Sequence, residues 1–554
     1  MELTTMAPFA GDPFDQRAVR AYRAALADPE RPAFGFDLLN DEANSAWLVD
    51  DSFPRAVVER PQGRFEATAV APAGRTGAVQ VLRIKARTHI LGPTWSGAMR
   101  LARAAYTQLT PGGALPVAAS DNRVSLHAPA GSEETIFVIE DALLGATAAI
   151  VQWPPHAEIA AGTEATAVFA IALGRDLWTT MREARDLAKH AEALLDEAVA
   201  ERRRLWSGLD LPDGQVRAVR RAVGYAIDCA ASRIDDVVAM LADHEILPLV
   251  WTRDAYYVCR ALLAVGPRDP RLASVVSDFV RWTFDVAERV DGWWPRASLA
   301  SGRAKDPAFQ LDQQLYPLLL VADHTRLTGD PSLRDRYAEA CRRTLAALLD
   351  KRTAFGLIPT AETPADDPLA QPYHFSSHVL LWRVLDAFDH SAADQVRAAT
   401  LRHFTSHGRF AYAVAGADGE NARQYHDAND FPTVFAPGWG FCPADDPRWR
   451  ATIAFAWSER NEGYFEGALG GLGSVHTRHP WPLGDLQEIV VARATRDAER
   501  ERRARERLVR VETWDGMLPE AYDETNGDVA SRHWFAWPVA LRALLERDPM
   551  LTAP

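Results

Sequence analysis

The hydrophobic periodicity of this chain changes once, near residue 176, and that change limits its fold more than any other feature. Before it, runs rich in Val, Ile, Thr and Phe lie at Arg64 to Val70, Ala78 to Arg87, Glu134 to Glu140 and Thr163 to Ala172. Turn-forming clusters such as Gly112-Gly113 and Asp121-Asn122 punctuate them. Short β-branched runs between such clusters read as strands, and a succession of them reads as an antiparallel sandwich. After the change, Leu177, Met181, Ala184, Leu187, Ala188, Ala191, Leu195 and Ala198 recur every three or four residues, the spacing of one helix face. This helix, ending in the solvated charged turn Glu201-Arg202-Arg203-Arg204, is expected to bridge two domains. From Leu209 onward helical stretches alternate with long polar loops. The helix after Gln313 has a clear stop in Thr328-Gly329-Asp330: Gly329 suits the left-handed position that ends a helix, and Pro331 blocks continuation. The organisation expected is an all-β sandwich over 1–176, a linker helix over 177–208 and an all-α domain over 209–554. In a toroid of helical hairpins the loops converge at one end, so residues far apart in sequence line one pocket.

At 554 residues the chain is too long for one small core, which agrees with two domains. A net charge of −14 argues against nucleic acid as a partner, because such proteins present a basic face. The mixed-charge run Asp497 to Arg510 reads as a solvated outer helix face. Cys229, Cys259, Cys341 and Cys442 have no C-x-x-C spacing and read as buried free thiols in a reducing compartment. The N-terminal residues lack a secretory pattern and no apolar run reaches membrane-spanning length, so a cytoplasmic protein without membrane contact is expected. Nothing bears on oligomeric state. No cofactor or metal is expected: His374 and His378 share a helix spacing without an H-E-x-x-H, and Gly470 to Ser474 lacks the strand and Lys of a phosphate loop.

The stretch from Tyr425 to Glu488 is crowded with carboxylates, amides, histidines and aromatics in the loops that open helices, and the chain holds 17 Trp. Sugar rings stack their apolar faces on aromatics and offer hydroxyls to paired polar groups, so this composition suits an oligosaccharide or glycoside pocket. Cleaving a glycosidic bond takes one carboxylic acid to protonate the leaving oxygen and one carboxylate to activate water or attack carbon. Trp251-Thr252-Arg253-Asp254 opens a helix, where the dipole is expected to keep Asp254 ionised. Gln310-Leu311-Asp312-Gln313 opens another. Asp366-Asp367 is a pair of adjacent acids, one of which burial would push toward the protonated form, and Glu520 lies between Pro519 and the aromatics around Trp534 and Trp537.

Taken in order, these segments resemble the family 125 glycoside hydrolases, exo-acting α-mannosidases with an (α/α)6 toroid. The family's W-x-R-D-S is similar to Trp251 to Ala255, preceded by I-x-P-like residues at Ile246 to Pro248. Its E-L-D-S resembles Gln310 to Gln313, and its R-P-S-D-D-A resembles Thr363 to Pro368. Its D-D-A-N-x-P-S resembles His426 to Thr433, and its G-I-G-S-P-H-T resembles Gly471 to Thr477. Its M-H-E-S-F and W-F-A-W resemble Leu518 to Tyr522 and Trp534 to Trp537. The resemblance implies Glu520 as general base and a general acid within Asp366-Asp367, the two staying open. Trp251, Arg253, Asp254, Asp312, Asp427, Asn429, His476 and Trp537 would line the sugar subsite. It also implies inversion at the anomeric carbon and no metal. The arginine of R-P-S-D-D-A is absent here, and the first acid of D-D-A-N is His426. The Pro519-Glu520 pair also resembles the L-P-E of family 15 glucoamylases, whose bacterial members place a β-sandwich and linker helix before the toroid, so an α-glucoside-cleaving enzyme is the alternative. A glycoside phosphorylase, which needs one acid only, or a non-catalytic sugar-binding protein fits less well.

Overall fold

The computed structural model describes residues 45–93, 121–128, 134–154, 158–209, 211, 216–244 and 247–547, with short pieces at 4–7, 35–36, 95–96 and 100–103. The turn expected at Gly112-Gly113, and Ile246, lie outside the described residues. The chain divides into two compact units, Met1–Gly208 and Leu209–Pro554.

The first unit is built on one eight-stranded antiparallel sheet. Its strands are β1 (Ser45–Val49), β2 (Phe53–Arg60), β3 (Gly63–Val70), β4 (Gly77–Ala86), β5 (Asn122–His127), β6 (Ile136–Asp141), β7 (Ala146–Trp153) and β8 (Glu164–Gly174), in the spatial order β5-β6-β7-β8-β4-β3-β2-β1. Alternate residues face opposite sides. Val70, Val79, Val81, Val138 and Ala149 gather on one face, where Met181, Ala184, Leu187, Ala188, Ala191 and Leu195 of helix α1 (Leu177–Gly208) cover them. Each Leu or Met buried in this way contributes about 1.5–3 kcal/mol. Phe65, Leu82, Ile84, Phe169 and Ile171 gather on the other face. The four runs picked from sequence are strands β3, β4, β6 and β8. The helix expected as a bridge therefore also serves as a layer of this unit, because its apolar stripe runs nearly its whole length.

Two local expectations change. Arg202, expected in a solvated turn, is buried over the rings of Phe53 and Trp206, with 5.8 and 5.3 Å to their centroids. A long Arg stem lies on apolar surface while its planar head sits on an aromatic face. Asn122, expected in a turn, begins β5, because its amide accepts from Leu101 N at 2.7 Å and donates to Leu101 O at 3.0 Å.

In the second unit two kinds of helix alternate. Helices α3 (Thr252–Val265), α5 (Leu311–Thr328), α7 (Phe375–Ala387), α9 (Phe431–Trp439), α11 (Pro482–Thr495) and α13 (Ala536–Arg547) are buried on most sides. Between them run α2 (Val216–Tyr225), α4 (Pro270–Arg281), α6 (Ser332–Asp350), α8 (Ala393–His403), α10 (Pro447–Ala456) and α12 (Ala498–Val511), most of which bury a single stripe. A helix apolar all round must be surrounded, whereas an amphipathic one covers a surface. α3 packs on α5, α5 on α7, α7 on α9, α9 on α11, α11 on α13, and α13 on α3. α5 ends at Gly329 in the left-handed conformation, φ 75°, as its sequence requires. α12 carries the expected mixed-charge face, yet part of it is held down: Arg507 reaches Asp485 and Glu488, and Arg505 reaches Glu546.

The helix starts also differ. Asp269, Asp446 and Asp497 cap α4, α10 and α12 with their side chains. Trp251, Gln310, His374 and Trp481 precede α3, α5, α7 and α11 without capping them in that way. The residues before and within the first turns of the buried helices are thus left for other partners. Among the described residues no helix is long and apolar enough to cross a membrane, and the four cysteines are free.

Candidate active site

Arg253, in the first turn of α3, is the centre of a buried charge cluster. Its guanidinium lies 3.1 Å from Asp312, 3.4 Å from Asp254 and 3.6 Å from Asp366. Burial works against its charge, but Asp312, Asp254 and Asp366 together raise its pKa further. One guanidinium cannot compensate three carboxylates equally. Burial pushes Asp254 up to about 6, against the opposing charges of Arg253 and Arg532, and pushes Asp312 up as well. Burial at 5 % exposure thus works against the helix dipole at Asp254, while a value of about 6 still leaves the carboxylate ionised at neutral pH. The two helix starts are tied together, since Thr252 Oγ1 donates to Gln313 O at 2.8 Å and Arg253 N donates to Gln313 Oε1 at 3.1 Å.

The Asp366-Asp367 turn hangs between these helices. Thr363 clamps it: its Oγ1 accepts from Ala365 N and Asp367 N at 3.1 and 3.2 Å, and its carbonyl accepts from Asp366 N at 3.0 Å. Asp366 adopts φ 63°, a left-handed conformation that Asp tolerates better than most residues. Both its carboxyl oxygens are engaged, Oδ2 by Trp251 Nε1 at 3.0 Å and Oδ1 by Gln310 Nε2 at 2.7 Å. Asp367 is more open. One oxygen accepts from His476 Nδ1 at 3.0 Å, and its side chain is 33 % exposed. Arg296, from 70 residues upstream, reaches the Asp366 carbonyl at 3.3 Å. Arg296 also bridges Asp306 and Glu362. Burial raises Glu362 to about 7 even so, with Asp366 and Asp306 adding to the rise.

His476 joins the two sides. Burial disfavours its imidazolium, but the Asp367 hydrogen bond and the charges of Asp367, Asp366 and Glu520 outweigh it, raising the pKa from 6.5 to about 9. The stability this group contributes is full below its ordinary value of 6.5 and is lost as pH rises through about 9. Thermal unfolding of the unaltered protein should therefore show a fall in midpoint between pH 6.5 and 9, and His476→Gln should flatten that fall. An unchanged slope in the variant would rule out the charged pair.

Asp427 is fully committed inside the protein. Tyr425 OH and Ser474 OH donate to Oδ2 at 2.6 and 2.7 Å, and Asn429 N and Nδ2 donate to Oδ1 at 2.9 and 2.7 Å. Four donors fill a carboxylate's acceptor sites. Asp427 thus shapes the loop, holding Asn429 and the Ser474 that in turn accepts from His476 N at 3.1 Å. Trp537 is also interior: it stacks on Tyr257 at 5.0 Å, with the Arg253 guanidinium 5.5 Å from its ring. His426 is buried against Gln487 at 2.8 Å. His374 and His378 are structural, His374 bonding Ser377 and facing Asp430, and His378 accepting from Ile358 N.

Glu520 precedes strand β9 (Ala521–Tyr522), which pairs with β10 (Val529–Ser531). Its N–H lies 3.1 and 3.0 Å from the carbonyls of Ser531 and Arg532, and Ser531 OH donates to Oε2 at 2.7 Å. The structure thus links the site residues expected from sequence, Glu520 apart, through contiguous contacts, while Glu520 contacts Ser531 and Arg532. Sequence reasoning missed Gln310, Thr363, Arg296, Ser474, Ser531 and Arg532 as partners of these groups. Gln310, Thr363 and Ser474 stood inside the quoted motifs, whereas Arg296 carried no local signal. It also missed a cluster of His479, Asp523 and Glu524, whose ligand atoms lie within 4.8 Å of one another and which joins the segment after His476 to the one after Glu520.

The family model described as metal-independent α-mannosidase, glycoside hydrolase family 125, matches residues 350–543. No curated protein matches the chain in sequence. A bacterial glucoamylase complexed with acarbose is similar in fold, with a TM-score of 0.64 at 13 % identity over 92 % of this chain and 86 % of that one. A putative kojibiose phosphorylase from the human microbiome gives 0.55 at 9 % identity, over 89 % of this chain and 73 % of that one. A Streptococcus pneumoniae metal-independent α-mannosidase complexed with α-1,6-mannobiose gives 0.49 at 21 % identity, over 66 % of this chain and 99 % of that one. Through residues 350–543, which hold the Asp366-Asp367 turn, His476 and Glu520, the chain carries the likeness of the family 125 α-glycoside hydrolases on a glucoamylase-like fold.

Proposed function

We propose that the protein is an inverting, exo-acting α-glycoside hydrolase of the α-mannosidase-like kind, removing terminal sugars from oligosaccharides or glycosides without a metal. In this reading residues 1–176 form a β-sandwich, 177–208 a linker helix and 209–554 an (α/α)6 catalytic domain, a closure supported by the cyclic packing of α3 through α13. The observation that carries it is the Asp366-Asp367 turn, with Asp367 bonded to His476 and Asp366 beside the Arg253 cluster, inside the stretch that matches the family model.

Asp367 is the better proton donor of the adjacent pair. Asp366 is held at both oxygens by Trp251 and Gln310, whereas Asp367 meets the His476 imidazolium, whose proton, moved onto Asp367 to leave a neutral imidazole, is the one delivered to the leaving oxygen. Glu520 then takes a proton from water on the opposite side of the anomeric carbon. Such a pair needs a separation of roughly 6.5–9.5 Å to admit that water. Arg253, Asp254, Asp312 and Asn429 bind the sugar, with Trp251, Asp427 and Trp537 holding the surrounding side chains. The Arg253 cluster holds more carboxylates than cations, so its field favours the positive charge that develops on the sugar ring in the transition state. The free cysteines support a reducing, cytoplasmic setting. A second reading, action on α-glucosides, is favoured by the Pro519-Glu520 pair and by a likeness to the bacterial glucoamylase that extends over both units.

Turnover of 4-nitrophenyl α-mannoside against the α-glucoside, followed by proton NMR of the first sugar released, tests both. Preference for the mannoside with β-anomer formed first is expected. Release of the α-anomer first would overturn inversion, and turnover of the glucoside alone would favour the second reading.

A further inference from the structure

Arg532 is 5 % exposed on the side chain, and its backbone has φ 46°, in the left-handed region that a bulky residue enters only when its surroundings fix it. Its guanidinium lies across the face of Phe535, 3.8 Å from the ring centroid. On one side its Nε is 3.6 Å from Asp243, itself 1 % exposed and accepting from Leu247 N at 2.9 and 3.0 Å. On the other its terminal nitrogen is 3.8 Å from Glu520 Oε1. Its carbonyl and that of Ser531 both lie within hydrogen-bond reach of Glu520 N. The same segment therefore holds Glu520 from its backbone and from its carboxyl.

The two carboxyl oxygens are treated differently. Oε2 accepts the Ser531 hydroxyl at 2.7 Å, which leaves Oε1 as the oxygen turned to the guanidinium without a hydrogen bond at that distance. A base must keep one lone pair for the water it activates, and a displacement of about 1 Å costs on the order of 10²-fold in rate. Other charged and titratable groups also bear on this pair: Asp254 and Tyr225 respond to the Arg532 charge, and His476 responds to that of Glu520.

We propose that Arg532 is a positioning residue for the base: stacked on Phe535 and braced by Asp243, it sets the orientation of the Glu520 carboxylate and supplies the positive charge opposite Oε1. This rests on the reading of Glu520 as base. Arg532 does not itself exchange a proton with the substrate.

The test compares Arg532→Met, Arg532→Lys and Glu520→Gln in the full-length chain. Each is assayed with the 4-nitrophenyl α-glycoside that the unaltered enzyme turns over. Arg532→Met should lower kcat about 10-fold or more while KM changes less than threefold. Arg532→Lys restores the charge without the planar fork, so kcat should recover in part. An unchanged kcat in Arg532→Met, beside a Glu520→Gln variant that has lost activity, would overturn the proposal. Full activity in Glu520→Gln would instead remove the base assignment on which it rests. Circular dichroism checks that each variant is folded. If Arg532→Met does not fold, Arg532→Lys decides: unaltered kcat and KM there would overturn the positioning role, and a fall in kcat at constant KM supports it.

Discussion

Glu520→Gln should lose turnover by about 10²-fold or more while sugar binding stays nearly intact. The amide matches the carboxylate in shape and still accepts from Ser531 OH, so β9 and its pairing with β10 need not move. What disappears is the capacity to take a proton from water. The measurement is kcat with an α-glycoside substrate beside a binding constant for the free sugar. A variant that bound the sugar and turned over normally would exclude Glu520 as base.

Asp367→Asn should separate substrates by leaving group. A 4-nitrophenolate departs without a proton, so aryl glycosides should keep much of their rate. An alkoxide leaving group needs the proton, and disaccharides should lose about 10²- to 10⁴-fold. Asp366→Asn is the control: Asp366 is tied to Trp251, Gln310 and Arg253, so its loss should impair both substrate kinds alike by loosening the turn. The opposite pattern, with leaving-group dependence confined to Asp366→Asn, would reassign the acid.

Local motifs were readable because their physics is local. Trp251 to Asp254 and Gln310 to Gln313 announce themselves as polar helix starts, and Gly329 announces a stop through its conformational freedom. The site's outer partners were less legible. Arg296 acts on Asp366 from 70 residues away, and nothing in Trp294-Pro295-Arg296 marks which carboxylate it will meet. Burial was the other gap. Asp254 was expected to stay ionised near a helix start, and a position enclosed by α3, α5 and their loops works against that charge, raising the pKa to about 6; enclosure is a property of the packed unit. Asp427 and Trp537 show the same limit: the four donors on the one and the Tyr257 stack on the other come from packing that their motifs do not spell out.

The packing of α13 on α3 has a consequence for how the protein is made. Thr252–Val265 leaves the ribosome well before Ala536–Arg547, yet α3 has α13 as one of its flanking neighbours. Until that late segment is synthesised, one apolar flank of α3 lacks its cover. Contacts so far apart in sequence slow folding and leave sticky intermediates. The helical unit therefore exposes apolar surface for longer during synthesis than a chain of sequentially stacked hairpins of the same length would.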